Sequence, residues 1–402
     1  MTGTLSTTWW TDLAAELNRN EQFAGAAKRL EARFEFDYED GIATLDVRNG
    51  SVVEVTAGPH LRGADIVLRA PRAEWKRIAA GESDFMKATT PGLGELTVAG
   101  DAVLAMRNIR AVALLLKAMA VVGREAPAKP APSPDPVSSG RETVGHYITV
   151  NGIRTYYEEA GEGPVIVCFH AACQDTLMYR YVLDGLSDQY RVIALDAPGH
   201  VKTDMPKGGP FRSLTSHAEF NESFMEALGL VRPALIGCSM AGNLVLELAA
   251  RRPEAYSAVI SSEGADYTPT MSDFLLEMLL TDGQAIVETF CESLTGARTP
   301  EDRAREAIWQ IRRNVPEVMA GDLIGYAGFD QRKEVGKIKA PVLLLRGDAD
   351  WLVHQEQVEA TQSRIPGSKI AVLEGTGHYP MIENPYEFNE AVRSFLHQNG
   401  YR

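Results

Sequence analysis

The sequence predicts a smaller α+β domain over residues 1–123, followed over 144–402 by a larger α/β domain with a mostly parallel sheet and a helical cap at about 265–335. Three observations lead there. Glu125 to Thr143 (EAPAKPAPSPDPVSSGRET) holds five prolines and almost no large apolar residue. Proline fixes φ and removes a backbone donor, so 124–143 reads as an extended linker. Before it, strand-like runs cluster between helical patterns; after it, strands and helices alternate, which implies parallel strands covered on both faces.

The front part opens with a helical pattern around Trp9, Leu13, Leu17 and Phe23. Strand-like runs follow at Arg33 to Tyr38, Ile42 to Val47, Ser51 to Val55 and Asp65 to Leu68. Asn49-Gly50 lies between two of them and signals a tight hairpin, because both residues tolerate positive φ. A helix begins near Pro71, a short strand covers Glu95 to Val98, and Gly100-Asp101 leads into an amphipathic helix reaching Met119. On that helix Leu104, Ile109, Val112, Leu116 and Met119 fall roughly on one face.

In the second part strands are expected near Tyr147, Thr155, Ile166, Val192, Leu235, Val259, Leu344 and Ala371. Ile166 to Phe169 and Val342 to Leu345 are unbroken apolar runs, as strands buried on both sides should be. Between Ser262 and Val342 the rhythm breaks into helical patterns at Phe274 to Leu280, Gln284 to Ser293 and Asp302 to Arg312. An insertion there would sit above the carboxyl edge of the sheet, where open α/β sheets bind ligands. Its apolar residues Met271, Phe274, Leu275, Met278, Leu279, Phe290 and Trp309 either line a substrate cavity or form simple core.

The chemistry centres on Gly237-Cys238-Ser239-Met240-Ala241-Gly242, preceded by an apolar strand and followed by a helical run to Arg251. A nucleophile on a tight strand-to-helix turn needs small residues two positions before and after it, which Gly237 and Ala241 supply. Serine alone is a poor nucleophile and needs a base, which in turn needs an orienting acid. The candidate base is His378, in Gly375-Thr376-Gly377-His378 after the last strand. The candidate acid is Asp350, in Gly347-Asp348-Ala349-Asp350 after a buried strand; Asp348 and Glu263 are rivals. All of these groups fall just past the carboxyl ends of strands, so they converge on one edge. Cys238 should point away from the serine hydroxyl and serve packing.

With these motifs residues 145–400 resemble an α/β-hydrolase with a cap domain. The resemblance implies Asp350 as the acid. It also implies an oxyanion hole of two backbone N–H groups, from Met240 and from Ala172 in the loop His170-Ala171-Ala172-Cys173. The family usually has glycine after that histidine, so Ala171 is a departure; His170 and the turn Asp196 to His200 read as structural. Leu96-Thr97-Val98-Ala99-Gly100-Asp101 followed by Ala102 to Met106 resembles the sterol-carrier-protein-like lipid-binding domain over roughly residues 8–120. That resemblance implies an apolar tunnel; the alternative is an α+β domain with a solid core that aids homo-oligomerisation.

The resulting expectation is hydrolysis of a carboxylic ester or lactone with a bulky hydrophobic body, lipid-, sterol- or polyketide-like, through Ser239, His378 and Asp350. No metal and no organic cofactor is required. A thioesterase or carbon–carbon bond hydrolase would use the same three residues, and a non-catalytic lipid-binding protein is the alternative from another class. Serine at 239 argues against the dehalogenases and epoxide hydrolases of the family, which place aspartate there. A net charge of −14 counts against a nucleic-acid partner and against docking on anionic membranes. Membrane insertion is not expected, since Arg107, Arg110 and Lys117 interrupt the most apolar stretch, Ala102 to Val122. Four cysteines without a metal-like pair, and no secretory signal, point to the cytoplasm.

Overall fold

The computed structural model describes residues 5–39, 41–123, 131–135, 137–269, 283–296 and 298–402. The chain divides into two units, Met1–Lys129 with Ala285–Ser293, and Pro130–Gln284 with Leu294–Arg402. Of the expected cap residues, Met271, Phe274, Leu275, Met278 and Leu279 lie outside the described residues.

In the first unit β1 (Glu31–Asp37), β2 (Ile42–Arg48), β3 (Ser51–Ala57), β4 (Ile66–Arg69) and β5 (Thr97–Gly100) form a sheet in the order β3-β2-β1-β4-β5. Only β1 and β4 pair in parallel. Alternation along β1 buries Ala32, Phe34 and Phe36. Phe36 packs against Trp10 and Trp75 with ring centroids 4.7 and 5.7 Å apart, and Trp75 Nε1–H donates to Asp37 O at 3.0 Å. Asn49 and Gly50 take φ of 49° and 86°, the two positive values of a type I′ turn, between the paired residues Arg48 and Ser51.

The expected helix to Met119 is two helices, Ala102–Arg107 and Ile109–Gly123. Asn108 separates them, its Nδ2 donating to Leu104 O at 2.9 Å in competition with the helical ladder. Ile109, Val112, Leu116 and Met119 are buried, while Leu104 is only half-buried. Residues 285–293, expected within the cap, group with this unit. Their helix buries Val287 and Cys291, and Glu288 and Glu292 pair with Arg110 and Lys117 at 3.5 and 3.1 Å.

The second unit holds β6 (Val144–Val150), β7 (Ile153–Ala160), β8 (Val165–Phe169), β9 (Arg191–Leu195), β10 (Ala234–Cys238), β11 (Ala258–Ser262), β12 (Val342–Gly347) and β13 (Lys369–Leu373). Their order is β13-β12-β11-β10-β8-β9-β7-β6, parallel from β9 to β13 with β7 and β6 antiparallel at one edge. The chain passes from β8 to β9 on one side and then crosses to β10 on the other. The loops after β8 and β10 therefore flank the switch point, where the crevice of such a sheet opens. The insertion between β11 and β12 contributes helices Glu301–Ile311 and Pro316–Ala327 to this unit; the second has no counterpart in the sequence reading.

The proline-rich connector lacks regular structure where it is described, yet it is not a free spacer. Ser133 is buried, its Oγ–H donates to Glu383 O at 2.6 Å, and Arg303 holds Asp135 at 2.8 Å.

A polar cluster is buried under the helix Pro316–Ala327. Asp322 accepts from His200 at 2.9 Å, and His217 Nε2 lies 3.8 Å from its other oxygen. His170 lies against His200, with ring centroids 4.6 Å apart and the ring planes tilted by 56°. Burial pushes His170 down to about 3 and His217 down to about 4; at His200 burial also pushes down, but the Asp322 charge and hydrogen bond together with the Asp196 charge outweigh it and lift the imidazole above its ordinary value.

Two predictions follow from this packing. Trp75→Ala should cost about 3–5 kcal/mol in chemical denaturation, as for other large-to-small core changes, whereas the half-exposed Trp309→Ala should cost less than about 1 kcal/mol. For the histidines, the folded state binds fewer protons at 170 and 217 than the unfolded chain does. Stability should therefore fall as pH drops from about 6.5, the unfolded value, towards 4 and below. His200, shifted the other way, gains on acidification and opposes two larger losses. The thermal midpoint should decline between pH 7 and 4.5, and less steeply in His217→Gln; an equal slope in both proteins would refute this account.

Candidate active site

The strand β10 ends in a turn whose central residue, Ser239, takes φ 57° and ψ −119° and begins the helix Met240–Arg251. No L-residue favours those angles, so the surroundings must impose them. Ser239 N–H donates to Ser262 O at 2.9 Å, and Ser239 O accepts from Asn243 N–H at 3.0 Å. Close packing requires the flanking glycines: a methyl group on Gly237 would lie 2.0 Å from Ala241 O, and one on Gly242 2.6 Å from Ser262 O. Neighbouring Cys238 is fully buried and its thiol faces His378 O at 3.4 Å, which supports a packing role. No disulfide links the four cysteines among the described residues.

The loop after β12 brings Asp350 to the loop after β13, where His378 Nδ1–H donates to Asp350 Oδ2 at 2.7 Å. Asp350 Oδ1 accepts from Leu352 N–H at 2.8 Å. Burial pushes the Asp350 carboxyl up, but the His378 charge and these hydrogen bonds hold it below the usual value. The rival Asp348 is turned elsewhere and accepts from Gly375 N–H at 2.6 Å. Glu263 comes close: one polar atom each of Glu263, Asp350 and His378 lie within 4.8 Å of one another. Glu263 Oε1 accepts from Gly347 N–H. Burial first, then the Asp350 charge, pushes Glu263 well above the carboxylate range. The two neighbouring carboxyls thus shift in opposite directions, Glu263 up and Asp350 down.

Among the described residues Ser239 Oγ makes no hydrogen bond, so the serine–histidine contact is not closed. Two backbone donors nearby are also unpaired. Neither Met240 N–H nor Ala172 N–H donates to any atom among the described residues. Such N–H groups at a helix start and a loop can stabilise an oxyanion. The loop carrying Ala172 is a tight turn in which Gln174 N–H donates to Ala171 O at 3.2 Å. The departure from glycine at Ala171 causes no strain, because positive φ falls on Cys173, at 64°. His170 is structural: its Nε2 accepts from Ala197 N–H at 3.0 Å and its Nδ1 meets Ala171 O at 2.8 Å. In the turn after β9, Asp196 accepts from Thr176 N–H and Lys202 N–H.

Sequence reasoning missed Glu383. This wholly buried carboxylate accepts from the N–H groups on both sides of His378, Gly377 at 2.9 Å and Tyr379 at 2.8 Å, and from Gly296 N–H and Thr299 Oγ1–H. Burial pushes its carboxyl up against these four donors. The available signal was an acid five positions after the histidine, between Pro380 and Pro385, each of which opens a helix. Of the apolar insertion residues, Trp309 is half-exposed and faces Arg313 at 5.3 Å, which does not place it in a cavity wall.

Comparison with known proteins agrees with this architecture. Residues 164–290 match the family model described as alpha/beta hydrolase fold, and residues 13–113 match that of the SCP-2 sterol transfer family. A pimeloyl-(acyl-carrier protein) methyl ester esterase of Aeromonas salmonicida is 26% identical over 256 residues, covering 60% of this chain and 98% of its own. Among solved structures, the enol-lactonase from Burkholderia xenovorans LB400 matches with a TM-score of 0.58 at 23% identity, covering 63% of this chain and all of that one. The esterase from Exiguobacterium antarcticum gives the same values. Among the described residues no helix is long and apolar enough to cross a membrane. The chain is thus similar to the SCP-2 sterol transfer family over residues 13–113 and to the alpha/beta hydrolase fold over residues 164–290.

Proposed function

We propose that the C-terminal unit hydrolyses a carboxylic ester or lactone through Ser239, His378 and Asp350. The observation that carries this reading is the buried His378–Asp350 hydrogen bond, formed at the edge where the strained Ser239 ends its strand. Asp350 accepts the Nδ1 proton of His378 and so leaves Nε2 as the base. Nε2 takes the hydroxyl proton of Ser239 as its oxygen attacks the carbonyl carbon. The N–H groups of Met240 and Ala172 receive the developing oxyanion. The protonated imidazole then returns the proton to the departing alcohol, leaving an acyl-serine. Water, deprotonated by the same imidazole, releases the acid and restores the serine. In apo structures the serine–histidine contact is often open and tightens only with substrate, so the free hydroxyl is compatible with this cycle.

The esterase and lactonase names among relatives support an oxygen ester as the scissile group. The SCP-2 domain supports an apolar ligand, and with it a bulky hydrophobic acyl or alcohol portion. Thioester and carbon–carbon bond cleavage would draw on the same three residues, so a panel of esters, lactones, thioesters and β-diketones of graded size selects among them.

Ser239→Ala should lower kcat by about 10⁶-fold and abolish labelling by a fluorophosphonate probe. Asp350→Asn should lower kcat by about 10⁴-fold, whereas Glu263→Gln, which keeps a donor towards Asp350, should lose far less. A severe Glu263→Gln beside a nearly silent Asp350→Asn would move the acid to 263. A folded wild-type protein that no fluorophosphonate labels would favour the non-catalytic lipid-binding reading instead.

A further inference from the structure

Successive peptides around His378 are each held by a defined acceptor. The N–H of the Thr376–Gly377 peptide donates to Glu383 Oε2 at 2.9 Å, and that of Gly377–His378 donates to Leu294 O at 2.9 Å. The N–H of His378–Tyr379 donates to Glu383 Oε1 at 2.8 Å, and the carbonyl of the same peptide accepts from Cys238 Sγ–H at 3.4 Å. Glu383 is 1% exposed, and its Oε2 also accepts from Gly296 N–H at 2.7 Å and from Thr299 Oγ1–H. The main chain of Glu383 is pinned in turn. Its N–H donates to Tyr379 O at 2.8 Å, and its carbonyl accepts from Ser133 and Arg303 at 2.6 and 3.3 Å.

This grip fixes a direction. The Cα–Cβ bond of a residue points where its two flanking peptides leave it, so holding both peptides of His378 aims the imidazole. The bond from Nδ1–H to Asp350 then sets the rotation of the ring. With that bond alone the ring could pivot about its Nδ1 end, and Nε2 on the far side would swing. Catalytic groups have to be held within about 0.5 Å and 10–20°. Sideways movement of the loop is blocked as well: a methyl group on Gly377 would lie 2.0 Å from Leu294 O. Separate neutral acceptors would suffice to satisfy buried N–H groups. A single carboxylate that spans both sides of one residue also ties those sides together, through stronger, charge-assisted bonds.

We propose that Glu383 is a positioning residue: by accepting the N–H groups on both sides of His378, its carboxylate aims the imidazole so that Nε2 can serve Ser239. The inference rests on the catalytic reading of Ser239 and His378 given above.

The test measures kcat and KM for a short soluble aryl ester, with folding followed by thermal melts. Glu383→Gln keeps the shape of the side chain but has one acceptor oxygen and an NH₂ group, which must face either the Gly377 or the Tyr379 N–H. It should lower kcat about tenfold or more with KM changed less than about threefold, since an ångström of misplacement can cost about 10²-fold. The low-field proton resonance of His378 Nδ1–H, bonded to Asp350, should broaden or move in the same variant. Thr299→Val removes a donor from the same carboxylate but leaves both N–H contacts beside His378, so its kcat should stay within about threefold of the parent. Near-parental kcat in folded Glu383→Gln overturns the proposal, and so does an equal loss in Thr299→Val, which would mean general loosening of the loop. Should Glu383→Gln not fold, Glu383→Asp decides. It keeps the buried charge, draws both oxygens back by one methylene and should lose kcat in the same way; parental turnover there also overturns the proposal. Ser239→Ala, run in the same assay, separates the two failures. If it stays active, the catalytic reading falls and the proposal with it. If it is inactive while the variants at 383 turn over normally, only the aiming of His378 is wrong.

Discussion

The backbone of Ser239, held at φ 57° and ψ −119°, is the constraint on which the rest of the site depends. Such a conformation in a residue with a side chain costs about 1–3 kcal/mol and persists only where neighbours over-determine it. Here they do. β10 lies between β8 and β11 in parallel register, and the Ser239 N–H is tied to the end of β11. The helix after the turn packs so closely that Gly237 and Gly242 leave no room for a methyl group. A parallel sheet then brings the rest within reach without further design. The loops after β8, β11, β12 and β13 all leave from the same edge, and they carry Ala172, Glu263, Asp350 and His378.

That edge gathers acids in a water-poor interior, and each is accommodated differently. A buried carboxylate is tolerable only with partners for its charge, or with a proton in place of it. Asp350 has His378 and the Leu352 N–H; Asp322 has His200 and the Cys173 N–H. Glu383 relies on four uncharged donors. Glu263, close to Asp350, is pushed well above the carboxylate range by burial and by that charge, which favours its neutral form. The difference between Glu263 and Asp350 decides which of them orients the histidine. Only an ionised acceptor gains fully from an imidazole N–H, and the lower-lying carboxyl is Asp350.

Much of this was legible in the sequence, because the signals were local. Asn49-Gly50 marked its hairpin, unbroken apolar runs marked buried strands, and small residues around Ser239 marked the turn. What escaped depends on partners distant in the chain. The helix Pro316–Ala327 contains Gly321 and Gly325, poor helix formers, which allow the backbone to pack against Pro210 to Ser213. Residues 285–293 look like any amphipathic helix, and nothing in their pattern names Arg110 and Lys117 as partners. Proline content argued against regular structure in the connector, and its described residues have none, but it could not show that Ser133 is buried against Glu383 and Arg303. At the loop after β8 the expected anomaly was Ala171, yet the strained position is Cys173, because turn type is a property of backbone angles that composition does not encode.

The insertion between β11 and β12 is tied by hydrogen bonds to the loops that carry the candidate residues. Leu294 O accepts the backbone N–H of His378 itself, and Gly296 N–H shares the Glu383 carboxylate with the residues flanking that histidine. At the other side Asn314 and Asp322 hold the turn bearing Ala172. Strand ends fix where these two loops begin to within the spacing of a sheet, about 4.8 Å between neighbours. Hydrogen-bond geometry at a reacting carbonyl is far stricter, with donors at 2.7–3.1 Å from the oxyanion. The sheet supplies the coarse placement, and contacts from the insertion supply the fine one. Excising the insertion would therefore remove part of the scaffold that holds the Ala172 turn and the His378 backbone.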